Sequence, residues 1–442
     1  MTEVPALLER GMMRHVRSVG KHLNGWLTSS PYRQYIQVDL VLAAMISAVL
    51  LSSCGKLEAP KPAEPPPPVL ISEAPTDVAK PSAESEAKQA KSTSWPKVYD
   101  KPSSTVTNVN YKVVKVFFGT DRRPVSNSDS PRDTFGEERG HGITYGDCEV
   151  SIPRDHKTGA LEAPFILRKY LENPEKHIVL LRIKLRKEGE FWSDIGTARA
   201  TAKKNEALIF IHGFNNTFED AARRTAQIAH DIEFGGIPMF YSWPSGGATR
   251  DYISDGNNAD QAVAYLKVFL RNIATNSKFD SVTLLAHSMG NRALTAAFLS
   301  LKAELPPKQM KIFKEIILAA PDIDADYFRN NIGPALIATK TATTLYASSN
   351  DEALIASKKV NGHARAGDSG AGLIVLSGIE TIDATNVDTN LFWGLRHGYV
   401  ADDRNVLSDL HYLVEKRLRA DSRYGLSVAP GSADPQYWMF KP

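Results

Sequence analysis

The chain predicts an α/β fold, with a mostly parallel central sheet and helices on both faces. Three observations lead there. From Ala207 onward, short apolar runs alternate with longer amphipathic ones, the pattern of strand–helix repeats that builds a parallel sheet. The run Ser281 to Leu285 passes through Ala286-His287-Ser288-Met289-Gly290 into the helix-like Asn291 to Leu299, so a strand turns sharply into a helix with serine at the bend. The 442 residues, 42% of them hydrophobic, suffice for one large domain with an appended region.

Tyr111 to Phe118 and Asp147 to Ile152 read as strands separated by a Gly- and charge-rich loop, and Ile178 to Ile183 reads as a third. Ala207 to Ile211 is apolar at every position, as a strand covered on both faces must be. Phe218 to Phe234 is helical, Pro238 to Ser242 a strand, and Asn258 to Ala274 a helix with Ala262, Tyr265, Leu266 and Phe269 on one face. After the Ser288 strand and its helix come strands ending at Ala320, Ala347 and Ala384, then a last helix over Asn405 to Leu418. Ligands of such sheets bind at the carboxyl ends of the strands, where the candidate residues fall.

Serine at the apex of a tight strand–helix turn needs small neighbours two positions either side, here Ala286 and Gly290. A serine hydroxyl is a weak nucleophile until a base takes its proton, and the base needs an orienting acid. On a fold of this kind the chain order is Ser, then Asp or Glu, then His. His363, His397 and His411 follow Ser288. His397, in a glycine-flanked loop between the final strand and final helix, is the expected base, and His411 is expected at the surface. Asp351, after the strand Thr343 to Ala347, is the favoured acid. Asp322 and Asp324, after the preceding strand, are the alternatives, with helix capping the competing role for all three. An oxyanion needs two backbone donors, for which the amides of Met289 and Phe214 are the candidates. Phe214 sits in the turn His212-Gly213-Phe214-Asn215-Asn216. His287 is expected to support the bend.

Several segments resemble a bacterial α/β-hydrolase family long catalogued as a domain of unknown function. They are Val116 to Arg122, Phe135 to Gly140, Tyr145 to Arg154, Phe210 to Asn216, the serine bend, Ala320 to Asp324 and His397 to Tyr399, in that order. The resemblance implies an α/β-hydrolase fold and esterase- or lipase-like chemistry, and leaves the natural substrate unassigned. The expected reaction is cleavage of a carboxylic ester, small or lipid, through an acyl-enzyme at Ser288. An amide or thioester would use the same triad, and a non-catalytic envelope scaffold that keeps the bend for packing is the reading from another class. Gly367-Asp368-Ser369-Gly370 spells a trypsin-like signature, but that scaffold is all-β.

Domain boundaries follow composition. Residues 1–54 form a basic lead (Arg10, Arg14, Arg17, Lys21, Arg33) and the apolar run Val38 to Ser53, ending in Leu51-Ser52-Ser53-Cys54. That ending resembles a lipobox, with Cys54 the lipidated residue. The competing reading is an uncleaved anchor with an incidental cysteine. Residues 55–104, rich in Pro, Ala, Ser, Glu and Lys, read as a disordered tether. Residues 105–442 form the catalytic domain. The expectation is a membrane-tethered lipoprotein of the bacterial cell envelope, facing the periplasm or exterior. A net charge of +3 argues against a nucleic-acid partner. Two cysteines give no disulfide framework, and Cys148, in a strand-like segment, reads as an ordinary small residue. The absence of His-Glu-x-x-His, paired Cys-x-x-Cys and phosphate-loop patterns predicts no metal and no cofactor.

Overall fold

Strands that are apolar on both faces must be covered on both, and the alternation of their side chains decides which residue meets which layer. In the computed structural model, which describes residues 110–125, 130–163, 171–246, 251–350, 352–387, 404–432 and 434–441, Ile209 and Ile211 enter one core while Leu208 and Phe210 enter the other. Leu284 and Leu285, Ile316 and Ile317, and Leu345 and Tyr346 divide in the same way.

Among the described residues, the sheet has eleven strands in the order β10-β11-β9-β8-β7-β6-β4-β5-β1-β2-β3. They are β1 (Tyr111–Pro124), β2 (Phe135–Pro153), β3 (Leu180–Arg186), β4 (Glu206–Ile211), β5 (Ile237–Ser242), β6 (Ser281–His287), β7 (Phe313–Ala319), β8 (Ala342–Ala347), β9 (Glu380–Asp383), β10 (Leu426–Val428) and β11 (Trp438–Phe440). Pairing is parallel from β1 through β5, β4, β6, β7, β8 and β9 to β11, and antiparallel for β1–β2, β2–β3 and β10–β11. The helices are α1 (Glu188–Thr201), α2 (Phe218–Asp231), α3 (Tyr252–Asn276), α4 (Gly290–Glu304), α5 (Pro307–Met310), α6 (Ala325–Tyr327), α7 (Gly333–Thr339), α8 (Glu352–Asn361) and α9 (Arg404–Val414). Apolar residues of α1, α3, α4 and α7 fill one core, and those of α2 and α9 fill the other. The mostly parallel sheet covered on both faces is the predicted one.

Three expectations need correction, and one helix was missed. The Gly- and charge-rich segment expected as a loop is mostly strand, because β1 and β2 form a long hairpin with bulges at Thr120/Arg122 and Arg122/Pro124. Glycine lets the backbones close there: a Cβ on Gly140 would lie 2.9 Å from the Asp121 carbonyl oxygen. Helix α1 was not anticipated, since only Phe191 and Ile195 give it a buried face. Helix α3 begins at Tyr252, ahead of the expected Asn258. Its first turns, poor in helix formers, are held by buried Asp255, which accepts from Ser245 Oγ at 2.6 Å and the Gly246 amide at 2.9 Å. Finally, His411 is half-buried rather than at the surface, and its Nδ1 donates to the Ile232 carbonyl at 2.7 Å. Cys148 lies in β2 as expected, and it is buried in the core.

Helix α2 leaves the turn after β4, and its far end is clamped by His156. The imidazole contacts Glu162 through Nδ1 at 2.9 Å and Asp231 through Nε2 at 2.7 Å. Burial opposes its charge, but hydrogen bonds to Asp231 and Glu162 outweigh burial and raise its pKa from 6.5 to about 9. A raised histidine stabilises the fold in full below pH 6.5, and the contribution disappears as pH rises through about 9. Thermal melts of wild type and His156→Asn from pH 6 to pH 10 should therefore show the wild-type advantage shrinking across that window. A gap that stays constant with pH would exclude the clamp.

Candidate functional site

A serine whose backbone lies in the left-handed region is strained unless neighbouring chain holds it. Ser288 has φ +48° and joins β6 to α4. Its amide donates to the Ala319 carbonyl at 3.0 Å. Its carbonyl accepts from the Asn291 amide at 3.1 Å, from Asn291 Nδ2 at 3.0 Å and from the Asp322 amide at 3.2 Å. Three segments thus fix the bend. The small neighbours are required from outside as well, because a Cβ on Gly290 would sit 2.3 Å from the His212 carbonyl oxygen.

The turn after β4 presses on the bend from the other side. A Cβ on Gly213 would lie 2.9 Å from Ser288 Cβ and 2.9 Å from His287 Nδ1. Asn215 takes φ +59°, which tightens this turn before Thr217 caps α2 by accepting from the Asp220 amide. Among the described residues, the amides of Phe214 and Met289 donate to no backbone carbonyl. The Phe214 ring stands edge-on to Tyr252, with centroids 5.3 Å apart. Ser288 is buried, 5% exposed, and amide donors on either side of it are the groups that can stabilise negative charge developing on a carbonyl oxygen.

His212 and His287 are both buried. Burial, then the Arg122 charge, lowers His212 to about 3, and burial, then Arg224, lowers His287 to about 3. Both imidazoles are neutral at ordinary pH. Trp243 is part of the core: it is fully buried, stacks on the His212 ring at 5.1 Å and donates Nε1 to the His212 carbonyl at 2.7 Å.

The alternative acids differ in what they hold. Asp322 Oδ1 accepts from Arg365 Nε at 2.7 Å and Ser357 Oγ at 2.6 Å, and Oδ2 accepts from the Tyr252 hydroxyl at 2.7 Å. Its carboxylate faces a buried guanidinium. Asp324 Oδ1 caps α6 by accepting from the Tyr327 amide at 2.9 Å. Asp351, His397 and Cys54 lie outside the described residues. His363 is exposed after α8. Arg122, Ser242, Asp255 and Arg365, all buried around the bend, escaped sequence reasoning. Only Arg122 had a signal, in the motif Val116 to Arg122. No group of three or more potential metal ligands occurs among the described residues.

Removing the Asp322 carboxylate strands the Arg365 charge, 6% exposed, so Asp322→Ala should cost about 3–5 kcal/mol of stability. Asp324→Ala, which loses one cap, should cost about 1 kcal/mol. Urea denaturation of the two variants measures both, and equal losses would refute this division.

A comparison with curated proteins finds no match. Among solved structures, the chain is similar to a lipase-esterase related protein from Clostridium acetobutylicum, with 10% identity, 48% of this chain and 96% of that chain covered, and a TM-score of 0.28. It is also similar to the peroxisomal alpha-beta-hydrolase Lpx1 from Saccharomyces cerevisiae, with 11% identity, 74% and 94% covered, and a TM-score of 0.27. Residues 187–417, which hold β4 to β9 and the serine bend, match the model of one family. The chain belongs to that family, the alpha/beta hydrolases of unknown function known as DUF900.

Proposed function

We propose that the protein is a serine hydrolase that cleaves carboxylic esters through an acyl-enzyme. The observation that carries the reading is Ser288 at φ +48° between strand and helix, against a turn whose Phe214 amide is uncommitted. In this scheme Ser288 attacks the carbonyl carbon and His397 takes its proton. The oxyanion is held by the Met289 and Phe214 amides, and His397 returns the proton to the leaving alcohol. Water then repeats the sequence to release the acid. Asp351 orients the imidazole. Support for the last two roles is positional. The register pairs His287 with Ala319, Ala319 with Tyr346 and Ala347 with Asp383, so β6, β7, β8 and β9 end level. The stretches after β8 and β9 carry Asp351 and His397. Three inter-strand spacings of about 4.8 Å lie within reach of the segment from Asp383 to His397 at about 3.3 Å per residue.

A fluorophosphonate probe tests the reading. Labelling should vanish in Ser288→Ala, and p-nitrophenyl ester hydrolysis should fall by at least ~10³-fold in Ser288→Ala and His397→Ala. Asp351→Asn should lose far more activity than Asp324→Asn. Well-folded wild type that takes no label would leave the scaffold reading instead.

We also propose attachment to the envelope through a lipid on Cys54, on the strength of the apolar run and Leu51-Ser52-Ser53-Cys54. Metabolic incorporation of a palmitate analogue should disappear in Cys54→Ser, and persistence would rule the lipid out.

A further inference from the structure

A guanidinium buried without a carboxylate against it needs another reason for its place. Arg122 is 1% exposed, and each of its recorded hydrogen bonds goes to a neutral group. Nε donates to Ser242 Oγ at 2.9 Å, Nη1 to the Gly136 and Ser245 carbonyls at 2.8 and 3.0 Å, and Nη2 to the Asn216 carbonyl at 2.8 Å. Burial lowers its pKa to about 10, offset in part by Asp121 and Asp255, so it stays charged.

Hydrogen-bond direction then follows link by link. The Gly213 carbonyl can only accept, and His212 Nδ1 lies 2.8 Å from it, so Nδ1 carries the proton. His212 is neutral, so its Nε2 is an acceptor. Ser242 Oγ lies 3.0 Å from Nε2 and donates to it, while accepting from Arg122 Nε. Only one proton arrangement satisfies all four groups. It ends on the Gly213 carbonyl, which Asn216 Nδ2 also reaches at 3.3 Å. Gly213 C=O and Phe214 N–H belong to one trans peptide and point in opposite directions. Holding the carbonyl on the His212 side turns the Phe214 amide to the other.

We propose that Arg122, Ser242 and His212 form a hydrogen-bond relay that sets the direction of the Phe214 amide, making them positioning residues for the reaction at Ser288. The inference rests on the serine-hydrolase reading and adds to it the device that prepares the oxyanion site. Ground-state binding does not use that amide fully, so the relay acts on turnover more than on affinity.

The test compares Ser242→Ala, Ser242→Cys and Arg122→Lys with wild type. It reads kcat and KM for p-nitrophenyl acetate and the rate of fluorophosphonate labelling at Ser288, each per folded molecule. Ser242→Ala should lower kcat and the labelling rate together by about 10- to 100-fold with KM changed less than about 2-fold. Ser242→Cys, whose thiol fits the space and donates weakly, should fall between Ser242→Ala and wild type. Arg122→Lys keeps the charge and loses the Nε donor, so it should resemble Ser242→Ala. Labelling at the wild-type rate in folded Ser242→Ala, or a loss confined to KM, overturns the relay alone. Wild type that takes no label at Ser288 overturns both readings.

Discussion

Two backbones meet at van der Waals distance where α4 begins, and the site is built around that meeting. Gly290 faces the His212 carbonyl and Gly213 faces Ser288 Cβ, so neither tolerates a side chain without a shift of main chain. A left-handed serine costs about 1–3 kcal/mol, and the bonds from Ala319, Asn291 and Asp322 hold it there. Because these partners come from β7, α4 and the segment after β7, the geometry of one residue is a property of the assembled sheet.

Several charged groups cluster at the two ends of that sheet. At the carboxyl ends, Arg365 faces Asp322, Arg122 spans β1, β5 and the turn after β4, and Asp255 ties α3 to Ser245 and Gly246. At the amino ends, Arg419 pairs with Glu315 and Glu380, while Arg423 pairs with Glu380 and Asp409. Between these ends, β4, β6, β7 and β8 place apolar residues in both cores. Such ions add little net stability, but each fixes a loop where apolar contact alone would permit several arrangements, and breaking one partner is expensive.

The parallel strands and the serine bend were legible in the sequence because their signals are local. Ala207 to Ile211 is apolar throughout, and Ala286 and Gly290 flank Ser288 within a few residues. Helix α1 was not legible, since two buried side chains give almost no periodicity. The early start of α3 was hidden because Asp255 acts through partners ten and nine residues away against poor local propensity. Ser242 and Arg365 carry no local mark, and the motif that ends at Arg122 does not say what the guanidinium does. Their roles come from bonds across 120 and 43 residues, which only the folded chain reveals. Asp322 and Asp324 look alike in sequence, yet one accepts from a buried arginine and the other caps a short helix.

The strand that covers β9 is made well after it. Trp438 pairs with Ile382 and Met439 with Asp383, and the edge they cover belongs to the strand immediately before the stretch that bears His397. During synthesis, β4 to β9 leave the ribosome with that edge bare, exposing unpaired amides and carbonyls to any neighbouring chain. Closure of the sheet on this side therefore waits for β11, and nascent protein stays vulnerable to intermolecular strand pairing until Phe440 has emerged.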